Sequence, residues 1–535
     1  MNAKPVLSPD PTPPEAGRVV AVIDIGATAI RLRLAEIGPG GSVRTLESLQ
    51  QAVPLGKDTF TSGHIEPATI EECVRVLQSF RRVMKEYGLS GDKNIRAVAT
   101  SAVREAENRD AFLDRIYMAT HINVEAIEGA EENRLTYIAV HDIFQNDPRL
   151  RSSDAAIIEV GGGSTEMIFV REGRVTFARN SRIGSLRMRE TLETHRASSD
   201  RLRAVLEQYI RRTVDQIYWS VAVEEVPYMV AMSGDMRFAA SLIARQPGKE
   251  PFERIDIRTL ANLVERLVVM PIDELVRRYH IAYHEAETIG PALLSYEHLA
   301  RVFHVKEILV AQTSLRDGLL REMAVGGAWT QEFAEQAVHA AGLLARKYST
   351  DQEHSSQVAE LAVRLFRELQ PEHGLEKRFE LHLKIAALLH EVGMFISDQS
   401  HHKHSMYVIQ HSELFGLTKK DTTLIALVAR YHRRALPRPY HIEYHSLDRE
   451  DRLIVSRLSA ILRVADALDR KHTQQLGEVT FTRERGAFVI TARGVADLAL
   501  ERLALKEKGD LFEQLFGMKV NVRNGLEIEE VSAGG

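Results

Sequence analysis

One cysteine, Cys73, stands in 535 residues. A lone thiol closes no internal disulfide, so covalent staples are excluded as a source of stability and a reducing cytoplasm is the expected setting. Cys73 falls in a helical pattern and reads as a packing residue. Long apolar runs are also lacking. None approaches the roughly 20 residues that cross a bilayer, so no membrane attachment is expected. The start lacks the basic-then-apolar pattern of a secretory signal. Residues 1–17 hold five prolines instead, which suits a disordered tail. Excess positive charge is missing too, the formal net charge being -5. A general nucleic-acid binder is therefore not expected, and any polyanion must be met by a local basic surface.

What is present is an ordinary globular composition, 44% hydrophobic and 27% charged, in a chain long enough for about three or four domains. Val19 to Ile25 is an apolar run broken only by Asp24, as for a buried strand. A turn at Gly26 follows, and Ile30 to Ile37 alternates like a strand with one wet face. Helices are predicted over 68–87, 108–119 and 131–144, and strands over 95–100 and 123–127. The opening then recurs: the run from Ala155 to Val160 carries Glu159 near its end and leads into Gly161-Gly162-Gly163-Ser164-Thr165. Strand, acid, glycine turn, strand thus occurs twice, which suggests duplicated α/β lobes facing one cleft. From 329 to 475 strand signals nearly vanish, and Val358, Leu361, Leu365, Phe366 and Leu369 form one helical stripe. Strands return at 479–482 and 487–492, with helices near 498–506 and 511. The expected organisation is a tail (1–17), lobe I (18–142), lobe II (143–328), an all-α domain (329–475) and a small α+β domain (476–535).

A glycine-rich turn after a buried strand frees backbone N–H groups for an anion, and a hydroxyl adds a donor. A neighbouring carboxylate can hold Mg²⁺, which bridges to phosphate oxygens. Gly161, Gly162, Gly163, Ser164 and Thr165, with Glu159 and Glu166, supply all of these. Asp24, Gly26 and Thr28 form a second version. Ser233-Gly234, after the apolar strand 228–232, is a third. Each turn alone is an ordinary tight hairpin. Three at strand ends, two with the acid placed alike, point to phosphate.

In order and spacing, several segments resemble the exopolyphosphatase / guanosine pentaphosphate phosphatase family. They are Ala21 to Gly26, Ala99-Thr100-Ser101-Ala102-Val103-Arg104-Glu105-Ala106, Ile127-Glu128-Gly129-Ala130-Glu131-Glu132, Gly161 to Glu166, and Leu315-Arg316-Asp317-Gly318. The likeness continues through Leu389-His390-Glu391-Val392-Gly393, His401 to Ser405 and Tyr431-His432-Arg433. The resemblance implies an actin-like, sugar-kinase-like fold of two lobes. It implies removal of a terminal phosphate from inorganic polyphosphate or guanosine pentaphosphate, and a cytoplasmic homodimer. It places the water-activating glutamate at Glu132, a phosphate-contacting arginine at Arg104, and metal-binding acids at Glu159 and Glu166, with Asp24 in the matching first turn. Three departures stand out. The first turn reads Asp24-Ile25-Gly26-Ala27-Thr28-Ala29 where the family has two serines and an asparagine. Glu159 replaces an aspartate. Asp235 follows Ser233-Gly234 where the family has threonine.

In the helical region, His354, the pair His390-Glu391 and Asp466 resemble the metal pattern of HD-type phosphohydrolases, with Glu391 in place of the aspartate. His404 and His432 could extend the set, and imidazole with carboxylate suits Fe, Mn or Zn. Residues 422–442 contain no acid and carry Arg430, Arg433 and Arg434, a stripe that a long polyanion could follow. The expectation is a Mg²⁺-dependent exopolyphosphatase. Its alternatives are the same chemistry on guanosine pentaphosphate, a non-catalytic sensor of polyphosphate or an alarmone, and catalysis by the HD-type domain.

Overall fold

A computed structural model describes residues 17–525, apart from residues 90, 194–198, 219–225, 244–251, 328, 434, 478 and 496. The expected tail, save Gly17, and Arg434 lie outside the described residues. The chain divides into two compact units, residues 1–173 with 177–328, and residues 174–176 with 329–535.

The first unit carries two sheets. One contains β1 (Arg18–Ile25), β2 (Ala29–Ile37), β3 (Val43–Ala52), β4 (Ile95–Ala99) and β5 (Val124–Ala126), in the order β3-β2-β1-β4-β5. The other contains β6 (Ala155–Val160), β7 (Thr165–Arg171), β8 (Arg174–Ser181), β9 (Tyr228–Ala231), β10 (Phe252–Asp256) and β11 (Glu307–Ala311), in the order β10-β11-β9-β6-β7-β8. From its far edge the second sheet runs β8-β7-β6-β9-β11, the order of the first. In both, the central strand pairs antiparallel with the next strand and parallel with the strand on its other side. The repeated strand–acid–turn thus heads the centre of each sheet, and β10 is an added antiparallel edge.

β1 reads as a continuous apolar run because it is covered on both faces. Ala21, Ile23 and Ile25 enter one cluster with Leu77, Phe80 and Phe112. Val20 and Val22 enter another with Val98, Leu135, Leu315 and Leu319. Leu135 lies on the helix Gly129–Asn146, and the two leucines after it on the helix Leu315–Val325. These helices approach so closely at Gly318 that a Cβ there would collide with the Leu135 carbonyl. In the second lobe, Tyr296 on the helix Tyr283–Val302 reaches under the glycine turn. Its buried hydroxyl accepts from Val160 N at 2.9 Å and donates to the Ile158 carbonyl at 3.2 Å.

In the second unit, the described residues from 329 to 477 hold helices and no strand. β12 (Val479–Glu484) and β13 (Ala487–Ala492) form a hairpin, and β14 (Lys519–Asn524) joins β13 in parallel after two helices. Arg463, fully buried on the helix Arg449–Leu468, fastens this part to the helices. It donates to the Lys508 carbonyl at 2.9 Å and pairs with Asp510 at 2.6 Å.

Overpacking a close helix contact costs about 1–3 kcal/mol. Gly318→Ala is expected to lower the unfolding free energy by that amount, read as a lower denaturation midpoint. An unchanged midpoint would mean that these helices can separate without penalty.

Candidate active site

Between the two sheets of the first unit lies a cleft of ≈ 330 Å³. All three turns singled out in the sequence reach it: Gly26 and Thr28, Gly161 to Ser164, and Ser233 with Gly234. Six carboxylates come with them, those of Asp24, Glu132, Glu159, Glu166, Asp235 and Glu285.

The register of the central hairpins sets this chemistry. Asp24 lies opposite Arg31, a cross-strand cation 3.7 Å away, and Arg316 approaches the same carboxylate at 3.3 Å. In the duplicate position Glu159 lies opposite Glu166. Like charges directly opposite destabilise a sheet, so lobe II holds an arrangement that folding alone disfavours. Glu132 joins them from the first turn of its helix, 4% exposed. Arg104 Nη1 pairs with its Oε2 at 2.8 Å, and Asn180 Nδ2 donates to the same oxygen at 3.0 Å. Asn180 also donates to Glu166 Oε1 at 2.7 Å, where Ser164 donates at 2.7 Å as well. Thr136 donates to Glu159 Oε2 at 3.2 Å.

Burial and mutual repulsion raise the acids' pKa values. Burial pushes Glu159 up to about 7, against the pull of Arg237. Burial, then the charges of Glu132 and Glu159, hold Glu166 well above the usual carboxylate range. Glu132 is raised by burial in spite of Arg104. A raised carboxylate is a better proton acceptor near neutrality. Asp235, on the third turn, is pushed by burial up to about 6 while accepting from Thr288 at 3.1 Å.

The glycine-rich turn is held from behind. Ser185 N and Arg187 N donate to the carbonyls of Gly161 and Gly162, and Arg187 Nε donates to that of Gly163 at 2.7 Å. Among the described residues the amides of Gly162 and Gly163 have no acceptor in the protein. A Cβ at Gly163 would strike Ser101 and Phe60, so the close fit of the turn admits no side chain there.

Thr165 corrects the expected set of phosphate contacts. It is fully buried, and its hydroxyl donates to the Ile183 carbonyl, so strand alternation turns it away from the cleft. Asp24, Glu159 and Glu166 line the cleft without forming one of the tight three-ligand groups found among the described residues. Those groups lie in the second unit, at His354, His390 and Glu391 and at His390, His432 and Asp466. The front acids fit Mg²⁺ of the kind that takes one or two carboxylates and completes its shell with water and substrate phosphate. Asn180, Thr136, Arg187 and Arg237 belong to the site and carried no signal in the sequence. The basic stripe is partly committed, since Arg430 pairs with Glu443 at 2.9 Å. Arg433 is exposed and has no acid partner among the described residues.

The sequence profile of the Ppx/GppA phosphatase family matches residues 34–325, and that of Ppx/GppA phosphatase domain III matches residues 338–507. A guanosine-5'-triphosphate,3'-diphosphate pyrophosphatase of Pseudoalteromonas atlantica is 25% identical over 85% of this chain and 87% of its own length. One from Aeromonas salmonicida is 22% identical over 88% and 92%. An exopolyphosphatase of Cytophaga hutchinsonii shares the fold, with 23% identity and a TM-score of 0.52 over 58% of this chain and 99% of that one.

Arg104 stabilises the ionised form of Glu132. A general base works only when deprotonated, so removing that support moves the acid limb of the rate profile to higher pH. With Glu132 as the base, Arg104→Gln would shift the acid limb of kcat upward, measured as phosphate release across pH. A limb that stays in place would detach Glu132 from the chemistry.

Proposed function

The chain belongs to the Ppx/GppA phosphatase family, and from that premise we propose that the cleft hydrolyses the terminal phosphate of inorganic polyphosphate with Glu132 as general base. The carrying observation is the Glu132 carboxylate, buried in the cleft and gripped by Arg104 and Asn180. A group so fixed can orient a water in line with a terminal phosphorus and take its proton. The free amides of Gly162 and Gly163 then receive the charge that builds on the phosphoryl oxygens. Arg104 neutralises charge beside the attacking water. Bound Mg²⁺, held by Glu159 and Glu166 with Asp24 nearby, would supply further charge neutralisation on the phosphate oxygens. Three anion-receiving turns along one cleft suit phosphates in series.

A second reading keeps the mechanism and changes the substrate to the 5′ phosphate of guanosine pentaphosphate. It is favoured by the likeness to the two pyrophosphatases, which runs through both units of the chain. The non-catalytic alternative, suggested by the altered first turn, is disfavoured by the intact grouping of Glu132, Arg104 and Asn180. Arg433 remains a proposed contact for long chains.

Phosphate release from long-chain polyphosphate and from guanosine pentaphosphate, measured side by side, distinguishes the two substrates. On the better one, Glu132→Gln is expected to lower kcat by about 10²–10⁴-fold, the usual range for a lost general base, with substrate binding retained. Unchanged turnover in the folded variant would remove the assignment.

A further inference from the structure

The second unit contains a group of side chains that the cleft chemistry does not use. His354 and His390 are both fully buried. His390 Nδ1 lies 2.6 Å from the Ala387 carbonyl, and His432 Nδ1 lies 2.6 Å from the Ala429 carbonyl. A carbonyl only accepts, so Nδ1 carries the proton in both rings. A neutral ring protonated on Nδ1 keeps its lone pair on Nε2. His354 Nδ1 is oriented in the same way by Asp469 Oδ2 at 2.8 Å. A second nitrogen tied to a carbonyl or carboxylate is the usual support behind a metal-ligating imidazole.

The inward nitrogens lack protein partners. Among the described residues, Nε2 of His354 and Nε2 of His390 are buried and have no hydrogen bond. They face Asp466 Oδ1 at 3.7 and 3.9 Å, too far for a hydrogen bond. Two donors each about 2.1 Å from one tetrahedral ion stand about 3.4 Å apart, so this spacing is near that of ligands sharing an ion. The ligand atoms of His354, His390 and Glu391 lie within 4.8 Å of one another, and so do those of His390, His432 and Asp466. His432 Nε2 also stands 3.2 Å from His401 Nε2. Lys508 is bonded to Asp466 Oδ2, which leaves Oδ1 to the histidines. Packed-away nitrogens without donors cost free energy, and a cation among them would remove that cost.

We propose that the second unit binds one divalent transition-metal ion through His354, His390 and Asp466, with Glu391 and His432 as further ligands. Mixed imidazole and carboxylate donors select zinc, manganese or ferrous iron over magnesium. Glu391 is the member of the set that is not fully buried, so it marks the side from which the ion exchanges. The ion is distinct in chemistry from the Mg²⁺ of the cleft, where every candidate protein ligand is a carboxylate.

The test uses the full chain, stripped with chelator and titrated with Co²⁺ as a visible probe and with Zn²⁺ for metal analysis. About one ion per chain is expected, with a visible Co²⁺ band and a raised Tm. Both are expected to be lost in His354→Ala and in His390→Ala and kept in Glu166→Gln, a cleft variant. Lys508→Met removes the ammonium competing for Asp466 without touching a ligand, and is expected to tighten binding. Failure of the wild-type chain to bind either ion overturns the proposal. So does binding that survives in both histidine variants, or that appears only in Lys508→Met, which would mean that the lysine occupies the ion's place. If a histidine variant fails to fold, the wild-type and Lys508→Met titrations still decide.

Discussion

Negative charge held out of water is the constraint on which the first unit is built. Asp24, Glu132, Glu159 and Glu166 share one cleft, each largely or wholly removed from solvent. A carboxylate so placed must be paired, hydrogen-bonded or protonated. The chain pairs or hydrogen-bonds these acids, and burial raises the pKa values of Glu159 and Glu166. Arg316 and Arg31 attend Asp24, and Arg104 attends Glu132. Asn180 ties Glu132 to Glu166 through one amide nitrogen. Glu159 and Glu166 face each other across the hairpin with raised pKa values and no arginine bonded to either.

The duplicated sheets explain how the acids meet. The same strand order occurs in both lobes, so the acid near the end of each central strand reaches the same cleft. The lobes differ at the residue facing the acid, arginine at 31 opposite Asp24 and glutamate at 166 opposite Glu159. The first lobe is therefore the better-neutralised side of the cleft.

Much of this was legible because the motifs are local. β1 and β6 are covered on both faces and announce themselves as apolar runs. The turns need glycine where backbone approaches backbone. β3 gave no signal because it is a largely exposed edge strand, Val-Arg-Thr-Leu-Glu-Ser-Leu-Gln-Gln-Ala, with no apolar run. Thr165 was misplaced because a turn motif does not say which way the following strand alternates. Asn180 was missed because its role exists only through contacts 48 and 14 residues away in sequence. In the second unit, His354, His390, Glu391, His432 and Asp466 were legible as a pattern. His404 is not among the converging groups, whereas His401 and Lys508 are at the cluster and were not foreseen.

The central claim is a single displacement at phosphorus by a water that Glu132 activates. The stereochemical course at the terminal phosphorus tests it most directly, using guanosine pentaphosphate with an isotopically chiral terminal thiophosphate. One in-line attack by water predicts inversion of configuration in the released thiophosphate. Retention would show two displacements through a covalent enzyme intermediate, and would contradict the role given to Glu132.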